Sequence, residues 1–148
     1  MTVLGVDHGA KRIGIAVSDS TESLARPLTI LKHISRAEDV LRVARLATQH
    51  EVERIVVGQS MDEDGNPNAA GRSAARFAEA LAGVTGRRVI LWDESLSTHD
   101  ARALRAGSGA SRKRRAAEDD ALAAAVILRS FLDAMQVAKE KPGRMDGT

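Results

Sequence analysis

Hydrophobic and polar positions along the chain indicate five strands. Residues 2–7, 13–19 and 24–33 show the short apolar or alternating patterns of strands, and turn residues separate them, which predicts an antiparallel meander. Residues 54–58 and 88–92 are short and continuously apolar instead. Such segments are typical of strands that are buried on both faces of a parallel sheet.

Helical periodicity follows the third and fourth predicted strands. Ser35 and Glu38 have the spacing of a capping box, which predicts the start of a helix. We expect one face of that helix to be buried, comprising Ala37, Val40, Leu41, Ala44 and Ala47. A second helix is predicted over about residues 68–81, and Gly83 and Gly86 should break it.

The last third of the chain predicts two more helices separated by a loop. Ser97 can cap a helix that ends near Gly107, and residues 106–111 are predicted to be a loop that faces the substrate. A final helix carries its apolar residues on one face: Ala124, Ile127, Leu128, Phe131, Leu132 and Met135. The order of elements predicts one α/β domain over residues 1–138, a mixed five-stranded sheet with helices on both faces, and a frayed tail over residues 139–148.

Composition limits the class of protein. The 148 residues suffice for one domain with its own hydrophobic core. The chain has no cysteine, which excludes disulfides, thiolate metal sites and a cysteine nucleophile, and which suits the cytoplasm. No signal peptide is indicated, and no apolar run is expected to reach the length of a membrane span. These features predict a soluble, intracellular protein.

The positive charge of the chain is small in total but concentrated in one segment. The net charge is only +2, but Asp100 is the single acid among a run of cations comprising Arg102, Arg105, Arg112, Lys113, Arg114 and Arg115. The run indicates either a surface for a polyanion or a solvated helix face. Three aromatic residues lie in apolar patterns typical of a core: Phe77, Trp92 and Phe131. Base stacking is therefore not expected to dominate binding to a nucleic acid, and phosphate contacts should.

Carboxylates stand at the ends of three predicted elements. Asp7 ends the first strand and precedes a glycine turn. Either Asp93 or Glu94 follows the last strand into the site, and either Asp119 or Asp120 begins the final helix, since spacing alone does not choose. If the first strand pairs with the fourth, three acids meet in one crevice. The alternative is that these acids are structural: Asp7 could simply form a turn, and the acid at the start of the final helix could complement the helix dipole.

Three converging carboxylates would suit Mg²⁺ or Mn²⁺, which take oxygen ligands. Without a cation the acids should repel one another and raise at least one pKa. Lys11 and Arg12 are candidates for phosphate contact, or are simply exposed. His8 either supports Asp7 or is a satisfied polar residue, and Asp19 is interpreted mainly as a turn residue.

Four motifs together resemble the YqgF/RuvX family over nearly the whole chain. They are D-x-G-x-K-R-I-G-x-A-x-S-D over residues 7–19, Val56-Val57-Gly58 with its acidic loop, and the segments 93–98 and 120–128. The resemblance implies an RNase H-like fold related to the RuvC resolvases. It also implies a bacterial cytoplasmic nuclease, since the family is described both as a Holliday junction resolvase and as the nuclease that trims the 5′ end of precursor small-subunit rRNA.

The resemblance assigns the acidic positions of the family to Asp7, Glu94 and Asp120. Two departures accompany it: Gln59-Ser60 stands where relatives commonly have Leu-Pro, and Ser95 stands where they commonly have arginine. The second departure removes a cation beside the acid, whereas the three acids remain.

The leading hypothesis is a divalent-metal-dependent endonuclease or processing nuclease for structured nucleic acid, either precursor rRNA or branched DNA. Asp7, Glu94 and Asp120 would hold Mg²⁺ or Mn²⁺. The phosphate backbone would be contacted by Lys11, Arg12, Arg112, Lys113, Arg114 and Arg115. A resolvase that cuts two symmetric strands would also act as a homodimer. The alternatives are an ATPase-like domain that binds nucleotide phosphates and a non-catalytic nucleic-acid-binding accessory protein.

Overall fold

The computed structural model of the protein describes residues 1–96 and 112–140, the latter with side chains over residues 121–138. The strands are β1 (Val3–His8), β2 (Arg12–Ser18), β3 (Ala25–Lys32), β4 (Arg54–Gln59) and β5 (Arg88–Asp93). The helices of this part of the chain are α1 (Arg36–Gln49), α2 (Ala69–Thr85) and α3 (Arg112–Glu140), with a short 3₁₀ helix at Glu94–Leu96.

The strands form one mixed sheet in the order β3-β2-β1-β4-β5. β1, β2 and β3 are antiparallel neighbours, whereas β1 pairs with β4, and β4 with β5, in parallel. The predicted mixed five-stranded sheet is therefore confirmed. The carboxyl ends of β1, β4 and β5 lie at one edge, as the interpretation of the acids required.

Helices cover both faces of the sheet, as predicted. Because side chains alternate along a strand, Leu4 and Val6 of β1 pack into the core beneath α1 and α2, whereas Val3 packs into the core beneath α3. Phe77 of α2 is fully buried in the first core, and Phe131 of α3 is buried in the second. The two cores fix which residues of β1 face α3.

A glycine lets α3 lie close to β1. A Cβ on Gly5 would stand 2.8 Å from the Leu128 Cβ and 3.1 Å from the Ala124 carbonyl oxygen. Distances this short are not tolerated between these atoms, so only glycine permits this approach of helix and strand.

The direction of α3 follows from its contacts with β4. Arg54, which begins β4, donates to the Met135 sulfur over 3.3 Å, whereas Gly58, near the end of β4, lies against Ile127. α3 therefore runs antiparallel to β4 and β1. Its earlier residues lie toward the carboxyl ends of these strands.

The buried face of α1 differs from the prediction. Val40, Val43 and Ala47 are buried, but Ala37 is exposed and Leu41 is 40% exposed. The reason is Asp39, a fully buried carboxylate that takes a core-facing position at the start of the helix. Its hydrogen bonds with His33, Arg42 and the Ile34 backbone N–H make its burial possible.

Two predicted helix boundaries were wrong. α2 continues through Gly83 to Thr85 and ends at Gly86, whose φ of +68° is the left-handed conformation that glycine tolerates. α3 begins at Arg112, so Asp120 lies within the helix instead of beginning it. The cause in the second case is that the basic residues 112–115 continue the helical pattern in the N-terminal direction.

Other predicted features fall at the limits of the described chain. The helix predicted from Ser97 to about Gly107 and the loop over residues 106–111 lie outside the described residues. α3 extends to Glu140, two residues into the predicted tail of residues 139–148. The remainder of that tail is likewise outside the described residues.

One segment of α3 has the length and composition of a membrane span. Ala121–Ala138 has a mean hydropathy of 1.5 over 18 residues, although Arg129 and Asp133 interrupt its apolar residues. Within this segment Ala124, Leu128 and Leu132 are buried in the core against the sheet. Packing inside the domain therefore accounts for the apolar side chains of this helix.

Candidate active site

Asp7 lies at the carboxyl end of β1 and is half-buried. Alternation along the strand puts it on the same face as Val3 and Gly5, which is the face covered by α3. The next residue, His8, has the opposite orientation, and its ring stacks on Phe77 with 4.6 Å between centroids. Burial lowers the pKa of His8, which favours its neutral form.

Glu94 follows β5 directly and folds back over β4. A Cβ on Gly58 would stand 2.9 Å from Glu94 Oε1, 3.0 Å from Glu94 Cγ and 2.6 Å from the Ile127 Cδ1. The missing side chain of Gly58 thus provides the space for the Glu94 carboxyl group between the sheet and α3. Trp92, which donates to the Ser130 hydroxyl over 3.1 Å, fixes β5 against the same helix.

The carboxyl groups of Asp7 and Glu94 are hydrogen-bonded to each other. Burial raises the pKa of Glu94, the charge of Asp93 raises it further, and the hydrogen bond with Asp7 lowers it in part. The predicted increase of at least one pKa is therefore confirmed. However, the largest cause is burial and not the expected repulsion between the acids.

Asp93 and Glu94, which sequence spacing did not distinguish, have different environments. The Asp93 carboxylate accepts a hydrogen bond from the Ser95 backbone N–H over 2.9 Å and so stabilises the start of the 3₁₀ helix. Glu94 instead reaches Asp7, near the end of β1. Of the two neighbours, only Glu94 is shown in contact with Asp7.

Asp120 lies in α3, one helical turn before Ala124, which is buried against β1. Its side chain, like that of Asp119 and those of Arg112, Lys113, Arg114 and Arg115, is outside the described residues. Within the part of the chain whose side chains are described, no three His, Cys, Asp or Glu residues form a group able to hold a metal ion. The described geometry thus brings together two of the three predicted acids.

The connection from β4 to α2 borders this edge, and the sequence marked it only as a motif in which Gln59-Ser60 departs from the family pattern. Asn68 caps α2 by accepting from the Gly71 N–H over 2.8 Å, and its own amide donates to the Ser60 hydroxyl over 2.8 Å. Gln59 donates to the Gly71 carbonyl over 3.2 Å. The residues that depart from the family pattern, Gln59 and Ser60, therefore fasten the end of β4 to the start of α2.

Gly58 is the functional residue that the sequence interpretation did not explain. It appeared there only as part of a strand motif, and its role depends on Glu94 approaching from the next strand. A glycine inside an otherwise β-branched strand was the available signal, since such a position often marks the close approach of another group.

The sequence is similar to many curated proteins. A protein of Syntrophus aciditrophicus is 38% identical over 139 residues, which cover 94% of this chain and 93% of that protein. A protein of Anaeromyxobacter sp. strain Fw109-5 is 41% identical over 133 residues, which cover 90% of this chain and 97% of that protein. Both carry the name "Putative pre-16S rRNA nuclease".

The fold is similar to solved resolvase structures. Thermus thermophilus RuvC, solved in complex with a Holliday junction substrate, superposes with a TM-score of 0.61 at 20% identity, covering 92% of this chain and 96% of that one. The fowlpox virus resolvase, solved with Holliday junction DNA, has a TM-score of 0.57 at 13% identity, covering 91% and 99%. These similarities confirm the predicted RNase H-like fold. Because the family model described as "RuvX: Holliday junction resolvase" matches residues 1–134, the chain belongs to the RuvX family.

Proposed function

We propose that this chain is a divalent-metal-dependent nuclease that hydrolyses phosphodiester bonds in structured nucleic acid. The observation that carries the proposal is the hydrogen-bonded carboxyl pair of Asp7 and Glu94 at the carboxyl edge of the parallel strands. Membership of a family described as Holliday junction resolvases and the rRNA nuclease names of the relatives support the same activity.

The donors available at this edge fit Mg²⁺ or Mn²⁺. Two carboxyl groups close enough to share a hydrogen bond are close enough to bind one cation, and these ions prefer oxygen ligands. When bound, such ions activate water and neutralise the charge that develops at phosphorus. Ionised Asp7 and Glu94 would hold the ion, so its affinity should fall at low pH.

Asp120 is our third proposed ligand. Ala124 of α3 lies against Gly5 of β1. Because α3 is antiparallel to β1, moving from Ala124 back to Asp120 leads toward the same edge of the sheet as moving from Gly5 forward to Asp7. The two steps have similar lengths, about 6 Å for four helical residues and about 7 Å for two strand residues. Asp120 should therefore lie at about the same level as Asp7, which supports it as a ligand. Substitution of Asp119 provides the matched control.

Basic side chains would position the substrate. Lys11 and Arg12 lie in and beside the turn that follows β1, and Arg112, Lys113, Arg114 and Arg115 belong to the start of α3. In the proposed mechanism these cations hold the phosphate backbone so that the scissile phosphate lies against Asp7 and Glu94. Burial of the Glu94 carboxyl group beneath α3 excludes water from one side of the pair.

The proposed substrates are the 5′ end of precursor small-subunit rRNA and the four-way DNA junction, in the cytoplasm. The names of the curated relatives favour the RNA, and the description of the family favours the junction. Cutting two symmetric strands of a junction requires two sites, so junction cleavage would also imply a homodimer. The family match favours a nuclease over an ATPase-like domain.

The experiment compares two labelled probes, a four-way DNA junction and a precursor small-subunit rRNA fragment, with Mg²⁺, Mn²⁺ or EDTA. We expect cleavage of at least one probe with metal and none with EDTA. The probe that is cut identifies the substrate class. Binding of either probe without cleavage would instead support the accessory-protein alternative, and equal cleavage in EDTA would contradict metal dependence.

A further inference from the structure

Three basic residues come from segments that adjoin one another at the end of the sheet where β1 turns into β2. Lys11 lies in the β1–β2 turn, and its carbonyl accepts from the His33 N–H over 2.9 Å. Lys32 ends β3, where it is the register partner of Arg12 in β2. Arg36 begins α1 shortly afterwards. We call the exposed residues Lys11, Lys32 and Arg36 the β3–α1 basic patch.

A buried acid fixes the backbone beneath this patch. Asp39 is fully buried and accepts hydrogen bonds from His33 Nδ1, from Arg42 and from the Ile34 N–H. Arg42 also donates to the Lys32 carbonyl over 2.7 Å. These hydrogen bonds to Asp39 and from Arg42 fix the backbone between β3 and α1. Lys32 and Arg36 therefore belong to a fixed segment.

The patch keeps its positive charge. In the described part of the chain, the side chains of Lys11, Lys32 and Arg36 form no hydrogen bond or ion pair, while the charge of Arg42 is directed inward to Asp39. Glu38, in the first turn of α1, adds one exposed negative charge against three positive ones. Such an exposed surplus of cations attracts a polyanion.

We propose that the β3–α1 basic patch binds the phosphate backbone of the nucleic-acid substrate on the β3 side of the carboxyl pair. The inference rests on the proposed nuclease function and extends it to Lys32 and Arg36, which no motif indicated. The patch and the pair share β1, since Asp7 lies near its end and Lys11 lies in the turn that follows. Phosphate contacts of this kind position a substrate without reading its sequence.

The test measures binding, separately from cleavage. The double variant Lys32→Gln/Arg36→Gln is compared with Arg26→Gln, which removes a cation from the other end of β3, about 20 Å away along the strand. Affinities for a fluorescent four-way DNA junction and a fluorescent precursor rRNA fragment are measured in EDTA at several salt concentrations. Thermal unfolding of each variant verifies folding.

We expect weaker binding by the double variant and a slope of log affinity against log salt that is smaller by about 1 to 2. Arg26→Gln should bind like the unaltered chain. Unchanged binding by the double variant, or an equal loss in Arg26→Gln, would overturn the inference. A chain that binds through Lys32 and Arg36 but never cuts with metal would contradict only the proposed nuclease function, so the two failures are distinguishable.

Discussion

Glu94 lies over Gly58, with its Oε1 2.9 Å from the position that a Cβ on Gly58 would take. This relationship explains how Glu94, which follows β5, reaches Asp7 near the end of β1, although β4 lies between these strands. The carboxyl pair thus depends on the absence of a side chain as much as on the two acids.

Gly58→Ala should reduce cleavage strongly while the protein stays folded. The added Cβ would displace the ends of Glu94 and Ile127, which are flexible side-chain atoms, so we expect a stability loss of only about 1–2 kcal/mol. Displacement of the carboxyl group should lower the cleavage rate by about 10-fold or more, since misplacement by 1 Å costs up to about 100-fold. Initial rates and thermal unfolding measure the two effects.

Gly83→Ala is the matched control for that substitution. Gly83 lies within α2, and nothing is within 4 Å of the position of its Cβ. Alanine is favoured over glycine inside a helix, so this variant should be more stable by about 0.5–1 kcal/mol with unchanged cleavage. Equal cleavage by Gly58→Ala and Gly83→Ala would show that the space over β4 is not needed.

Glu94→Gln should stabilise the protein at neutral pH. The folded-state pKa of Glu94 is raised above its ordinary 4.5, so ionisation of this residue costs stability as the pH rises through the raised pKa. The variant should therefore gain stability over the unaltered chain above that range and not below pH 4.5. A gain of 1 kcal/mol corresponds to about 2–4 °C in Tm. A destabilised variant at pH 7 would contradict the assigned burial.

Mn²⁺ should stabilise the unaltered protein in a pH-dependent manner. An ion that binds only the folded state at ten times its Kd adds about 1.4 kcal/mol. The increase in Tm should be largest above the pKa of Glu94 and should be lost in Asp7→Asn. The single tryptophan, Trp92, lies two residues before Glu94 and reports unfolding by its fluorescence. An undiminished Mn²⁺ effect in Asp7→Asn would place the ion elsewhere.

Asp39→Asn should be destabilising in a way that disappears in acid. Burial raises the pKa of Asp39, but hydrogen bonds from His33, Ile34 and Arg42 outweigh this effect and hold it below the ordinary 3.8. The carboxylate thus contributes stability above that value, which is lost as the pH falls through the lowered pKa. We expect a loss of about 1–3 kcal/mol at pH 7. A loss that does not depend on pH would indicate a packing effect.

The sheet was predictable from the sequence because each strand carries its own signal. These signals are local: they are the apolar runs of β4 and β5 and the glycine turn after β1, and each is formed by residues that are neighbours in the chain. The buried face of α1 was less predictable, since the burial of Asp39 requires partners from the β3–α1 connection and from α1 together. Gly83 was expected to break α2, but packing of Phe77 and Leu81 in the core carries the helix past it.

The sequence was sufficient to predict the acids of the site as candidates, but not to predict which of them lie together in space. Asp7 is marked by its strand end and glycine turn, whereas Glu94 and Asp93 are equivalent in spacing. Their difference arises from contacts between distant segments: Ser95 engages Asp93, and the space over Gly58 admits Glu94. Information of this kind exists only in the folded chain.

Two neighbouring substitutions of equal charge test most directly whether the Asp7–Glu94 pair performs the chemistry. Initial cleavage rates with Mg²⁺ are compared for Glu94→Gln and Asp93→Asn on whichever probe the unaltered chain cuts. We predict a loss of at least about 100-fold for Glu94→Gln and a rate within a few-fold of the unaltered chain for Asp93→Asn. Equal rates for the two variants, or a greater loss in Asp93→Asn, would contradict the account.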